Sequence, residues 1–163
     1  MTQSSLTIEQ VLTLLAATPT RIAALTADLT DTQLHTSPGQ AAWSANDVLA
    51  HLRACADAWG NCIVAIIAED RPTLQAVNPK TSIKQTDYPD LEFRPSLHAF
   101  ATQRAELLAF LHPLPPESWS RAATVTGAGA VLTRTVLSYG QRLARHERPH
   151  VKQIERIVTT LYL

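Results

Sequence analysis

The stretch DVLAHLRACADAWGNCIVAIIA, Asp47 to Ala68, decides the fold. Val48, Leu52, Cys55, Trp59, Cys62 and Ile66 follow one another at spacings of 4, 3, 4, 3 and 4, which keeps all six on one face of a helix. Ser44 and Asp47, three apart just ahead of this run, form a helix start signal. A seam this regular needs partner helices to bury it.

Downstream, Asp70 to Pro95 carries four prolines and no helical period, so it reads as a long excursion, of the kind that can cover a site. A third helix is predicted from about Ser96 to Leu111, with Leu97, Phe100, Leu107 and Leu111 inward and HPLPPESW ending it. RAATVTGAGAVLT reads as an irregular or hairpin-like segment. The last helix starts near Thr133 or Thr135 and runs almost to the C-terminus. Upstream, HTSPGQAAW is a loop. Before it, Thr7 and Gln10 make a capping box for a first helix through Val11, Leu12 and Leu15. Pro19 either kinks that helix or opens a continuation capped by Thr18, and Ile22, Leu25 and Leu29 extend the stripe. The reading is an all-α four-helix bundle in one domain, residues 1–163, with a long Pro-rich loop between helices 2 and 3.

Fourteen basic and fourteen acidic residues balance, so no global field points to nucleic acid, a membrane or an acidic partner. With 45% hydrophobic and only 17% charged residues, an efficiently buried bundle with an apolar surface for a homodimer contact is expected. The N-terminus lacks the basic and apolar blocks of a signal peptide, and CIVAIIA is far too short to span a bilayer. Cys55 and Cys62, seven apart on a helix, lie about 10 Å apart along the axis, too far for a disulfide. A cytoplasmic location is expected. No G-x-S-x-G elbow, phosphate-cradling glycine loop, dinucleotide fingerprint or zinc-ribbon cysteine spacing occurs.

The apolar stripe of the last helix is Val136, Tyr139, Leu143, His146, His150, Ile154, Ile157 and Leu161. Two histidines thus occupy seam positions, where burial is costly unless each imidazole finds a partner. Their spacing of four puts both rings on one face, within reach of a single metal ion. His51, one turn from Val48 and Cys55, can face the same interior. Three imidazoles from two helices could supply a facial ligand set with open positions.

WSANDVLAHL (Trp43 to Leu52) resembles the W-S-x-x-[DE]-x-x-x-H-L segment of the DinB-like, or DinB/YfiT, superfamily. HERPHVKQIERI (His146 to Ile157) resembles that family's H-[DE]-x-x-H-x-x-Q-I element on its last helix. Pro38 ahead of Trp43, and Trp119 followed by a glycine before the final helix, fit the same order, so the resemblance covers nearly the whole chain. It implies a four-helix bundle, frequently dimeric, holding one divalent ion, nickel or zinc, on His51, His146 and His150. It also implies reactions such as thiol-dependent S-transfer or isomerisation with a low-molecular-weight thiol. One departure is Pro149, between the two histidines of the last helix. It cannot donate to the carbonyl of Arg145 and costs about 3 kcal/mol in a regular helix, so a kink is expected there.

Around this triad, Asp47 can orient His51 by a hydrogen bond or simply face the helix dipole. Glu147 can act as general base towards a metal-bound water, or lie solvated on the helix flank. Cys55 is a fourth ligand, a reactive thiol or a small apolar filler. Tyr139 can reach a pocket or pack. Arg104, on the third helix's seam, calls for a carboxylate or carbonyl partner, or binds an anionic substrate. His35, His98 and His112 are expected to face solvent, as is the basic stripe of Arg142, Arg145, Arg148, Lys152 and Arg156. The expected function is metal-dependent activation of a water or thiol for hydrolysis of, or transfer to, a small molecule. The alternative is a non-catalytic bundle, metal-free or metal-stabilised, acting through protein contacts.

Overall fold

The computed structural model describes residues 5–162. Four long helices carry the fold: α1 (Ile8–Thr26), α3 (Ala45–Ala68), α4 (Phe93–Leu111) and α6 (Val136–Tyr162), with the single-turn helices α2 (Asp31–Leu34) and α5 (Pro116–Trp119) in the connections. Helix α6 packs against α1 and α3, and α4 packs against the same two, so α4 and α6 face each other across the diagonal. The bundle reading therefore stands.

Local chemistry explains where the helices begin. Thr7 with Gln10 and Ser44 with Asp47 form reciprocal capping boxes at the starts of α1 and α3. Pro19 lies inside an unbroken α1, where the Thr18 hydroxyl reaches the Leu14 carbonyl at 3.2 Å. All six seam residues of α3 are buried, from Val48 at 0% to Cys62 at 8% exposure. On the side of α6 facing α1, Gly140 permits close approach: a Cβ there would meet Val11 Cγ1 at 2.9 Å and Trp119 Cζ3 at 3.6 Å.

The connections carry a small sheet beside the bundle. RAATVTGAGAVLT, read as irregular or hairpin-like, forms a hairpin of β2 (Ala122–Thr126) and β3 (Leu132–Thr135). Gly127 and Gly129 take the left-handed conformation in its loop, at φ +93° and +87°. The Asp70–Pro95 excursion also contributes a strand, β1 (Thr73–Gln75), paired in parallel with β2, and short 3-10 turns at Ser82–Gln85 and Tyr88–Asp90. Helix α4 starts three residues earlier than expected, with Pro95 in its first turn, where a missing N–H costs nothing.

The excursion is tied to α3 along its length. Asn46 Nδ2 donates to the carbonyls of Pro89 (3.3 Å) and Leu91 (3.2 Å). Tyr88 donates to Asp57, which also accepts from Gln103 of α4, and the Arg53 guanidinium lies 3.8 Å over the Tyr88 ring. These bonds make the segment a fixed wall beside α3.

Candidate metal centre

His51 reaches the interior from α3, while His146 and His150 reach it from α6. Their ring centres form a nearly equilateral triangle: 4.9 Å between His51 and His146, 4.7 Å between His51 and His150, and 4.8 Å between His146 and His150. The Nε2 atoms of His51 and His146 stand 3.0 Å apart. Two imidazoles on one ion, each bonded at about 2.0–2.1 Å, hold their nitrogens about 2.9–3.4 Å apart for octahedral to tetrahedral angles. The observed separation falls inside that range, and is also that of a direct hydrogen bond between the two rings. Trp43 stacks on His150 (6.2 Å, 13°) and Trp59 meets His146 edge-on (4.9 Å, 83°), so indole rings bracket the cluster.

Protonation favours the ligand form. His51 and His146 are both pushed down to about 4, first by burial and then by neighbouring imidazoles, with Arg142 adding to the effect at His146. At neutral pH both rings are uncharged and keep a lone pair for a cation. A stability consequence follows for the metal-free protein. Between about pH 6.5 and pH 4 the unfolded chain binds protons on these two residues while the folded chain does not. Stability should therefore fall as pH drops through that window and level off outside it. Denaturant titrations of metal-free protein from pH 7.5 to 4 will show this, and the slope should flatten in His51→Ala.

His150 is oriented by Gln153, one turn further along α6, whose Oε1 lies 2.9 Å from Nδ1. An amide oxygen can only accept, so Nδ1 carries the proton and Nε2 is left with the free lone pair. Gln153→Ala should weaken metal binding by about 10–100-fold with little change in folding, as measured by competition with a chelating dye.

Pro149 does not break α6. The helix runs continuously from Val136 to Tyr162, and Pro149 is exposed on its outer side. Long helices curve with the convex side to solvent, where carbonyls already tilt towards water, so a proline there interrupts the hydrogen-bond ladder where water can replace it. Across Pro149 the chain stays helical and the His146 and His150 ring centres lie 4.8 Å apart.

Glu147 is neither solvated nor free to serve as a base. It is 1% exposed on the α1–α4 side of α6, with both carboxylate oxygens on Arg104, itself 1% exposed. Thr18 donates to it as well (3.0 Å), and Arg104 also donates to the Leu15 carbonyl (2.9 Å). Adjacent helical residues point about 100° apart, so His146 and Glu147 face different partners. The expectation of a carboxylate partner for Arg104 is met by this pair. Asp47 is likewise used elsewhere: its Oδ2 accepts from the Ser44 backbone N–H (2.9 Å) as part of the α3 cap, and no hydrogen bond links it to His51 among the described residues.

Cys55 is the unexpected neighbour. Among the described residues, the possible ligand atoms that all lie within 4.8 Å of one another are those of His51, Cys55 and His146, a group that does not include His150; Cys55 Sγ is 3.9 Å from His51 Nε2. Burial and the charge of Glu147 push this thiol up to about 12. It is a fully buried neutral group beside the His51 ring, whereas His150 borders a cleft. Cys55→Ala should retain metal affinity within about threefold, whereas loss of a true ligand would cost far more; equilibrium dialysis distinguishes the two.

Clefts open at either end of the cluster along α6. One, of about 500 Å³, is bordered by His150, Gln153, Trp43 and Arg156. The other, of about 470 Å³, is bordered by His146, Trp59 and Pro79. The basic stripe faces solvent as expected, all five residues being exposed; Arg142 and Arg145 also border the His146 cleft, and Arg148 and Lys152 border α1. Tyr139 is buried in the core, and His35, His98 and His112 are exposed. The bracketing indoles and Gln153 were not singled out from sequence as site residues, although Trp43 and Gln153 lie within the two family-like segments.

The architecture is a helical bundle with an imidazole cluster at the α3–α6 seam. The family model of the DinB superfamily matches residues 14–154, and the chain belongs to that superfamily. No curated protein matches it in sequence. Among solved structures it is similar to YfiT from Bacillus subtilis, with a TM-score of 0.73 and 18% identity over 96% of this chain and 91% of the other. That protein is described as "a probable metal-dependent hydrolase with an unusual four-helix bundle topology". At this identity the likeness establishes the fold. Among the described residues no helix is long and apolar enough to cross a membrane.

Proposed function

We propose that His51, His146 and His150 hold one divalent ion, nickel or zinc, and that the protein is a metal-dependent enzyme acting on small molecules. The observation that carries this reading is the triangle of ring centres 4.7–4.9 Å apart, with two Nε2 atoms at ligand-pair separation. A bound ion would supply Lewis acidity towards a small nucleophile, a water or a thiol. The chain's own residues do the rest. Gln153 orients the His150 ring, Trp43 stacks beside His150, Trp59 packs edge-on against His146, and Cys55 fills space beside His51.

Hydrolysis and thiol S-transfer both suit this apparatus. A separate cleft at each end of the cluster favours transfer, because two reactants can approach one ion without sharing a pocket. A low-molecular-weight thiol is the co-substrate this reading proposes. The alternative is a non-catalytic bundle, metal-free or metal-stabilised, acting through protein contacts; a Cys55 that closed the coordination sphere would favour it, because no position would remain for a substrate.

The test is elemental analysis of protein purified without an affinity tag, beside His150→Ala. About one equivalent of nickel or zinc in the parent protein, lost in the variant, is the expected result. No bound metal even after incubation with divalent ions would overturn the proposal.

A further inference from the structure

The cleft at His146 has a chemistry that the proposed metal site does not require. Arg134 enters it from β3, and Arg142 and Arg145 enter from α6. Ser138, Trp59 and Pro79 complete much of its wall, and no carboxylate lines it. None of the three arginines belongs to an ion pair among the described residues. This is unusual placement in a chain whose fourteen basic residues are balanced by fourteen acidic ones. Burial and the neighbouring Arg134 both push Arg142 down, so these two guanidinium groups lie close enough to disfavour each other. Arg134 is half-buried and Arg142 and Arg145 are exposed, so the cleft presents like charges to solvent, and an anion placed among them would relieve their mutual repulsion.

We propose that this cleft is an anion subsite, in which Arg134, Arg142 and Arg145 bind the carboxylate or phosphate end of a small substrate. Its reacting end then lies at the histidine cluster, so the assignment rests on the enzymatic reading above. Guanidinium groups suit this role because their planar donors match carboxylate and phosphate oxygens two at a time. The volume of about 470 Å³ suits a metabolite-sized molecule and is bounded by Trp59 and Pro79. His146 forms part of the same wall, so an anchored substrate presents its far end to that imidazole.

The experiment is calorimetric titration of sodium phosphate, and separately of succinate, into chelator-treated and nickel-reconstituted protein. Saturable one-to-one binding of at least one anion is expected. It should weaken about tenfold or more in Arg134→Gln/Arg142→Gln and stay within about twofold in Arg148→Gln, whose side chain borders α1 instead. The tighter of the two anions identifies the recognised group. Circular dichroism checks folding; if the double variant does not fold, Arg145→Gln alone should weaken binding about threefold. Absence of saturable binding, equal weakening by Arg148→Gln, or binding confined to the nickel form and indifferent to the arginines would each overturn the subsite. Binding to metal-free protein separates this result from the metal proposal, which elemental analysis tests by itself.

Discussion

Arg104→Met is expected to destabilise the fold by about 3–5 kcal/mol, measured by guanidinium denaturation at neutral pH. The substitution removes a fully enclosed guanidinium and leaves Glu147 charged and without its principal partner, and stranding one buried ion carries a penalty of that size. Replacing both residues, as Arg104→Met with Glu147→Leu, should recover most of the loss, because the pair's attraction is largely consumed by its own desolvation. The contrast is Arg21–Glu155, 3.8 Å apart with both side chains more than half exposed, where removing either partner should cost about 0–1 kcal/mol. The buried pair also joins α4 to α6 across the diagonal, with Thr18 and Leu15 of α1 bonded to its two ends. The double variant should therefore keep its stability yet show faster amide exchange along α6, since the apolar replacements do not fix the helix about its own axis.

The second large effect is at His51. His51→Ala should lower metal affinity by at least about a hundredfold, more than is lost when only a ligand's supporting partner is removed. His51 is the only member of the triangle from α3, so without it the two α6 imidazoles cannot bridge the helices. The expected readout is twofold: loss of bound ion by elemental analysis, and loss of metal-dependent thermal stabilisation. At a hundredfold excess of free ion over the dissociation constant that stabilisation is about 2.7 kcal/mol in the parent protein. A variant that keeps its metal would overturn the assignment of His51 as a ligand, and with it both the three-imidazole set and the set that includes Cys55.

How much of this was legible in the sequence depended on how far each feature rests on local period. The α3 seam and the α6 stripe were readable because burial follows helical spacing, and every seam residue of α3 is indeed buried. The convergence of His51 on the α6 pair was readable for the same reason. Glu147 was misread because it belongs to a second buried stripe, Gly140, Ala144 and Glu147, that faces α1. Two small residues leading to an acid look like a polar flank until the close approach at Gly140 is known. A clue was present in Arg104, a charged residue on an apolar seam that demanded a carboxylate from elsewhere. Cys55 beside His51 was weighed, but its place in a donor set with His51 and His146 depends on rotamers that spacing alone does not specify. The stripe on α6 was read rightly as solvent-facing, but the arginine-lined cleft also needs Arg134 of β3 and Pro79 of the excursion, whose approach to α6 no helical period reveals.

The parallel pairing of β1 with β2 has a consequence for how the molecule is made. Thr73 sits opposite Thr124, about fifty residues later in the chain, with α4 and α5 between them. A nascent chain can close the α3 cap and the Asn46 and Tyr88 ties as soon as α3 and the following turns exist, but β1 waits for its neighbour. Pairings between distant residues form late because the loop between them must first be closed. His146 and His150 come later still, so the histidine cluster is assembled only after the wall beside it has been secured. In a pulse-labelling experiment, protection at Ala76, whose amide bonds the Thr126 carbonyl, should lag behind protection in the middle of α3.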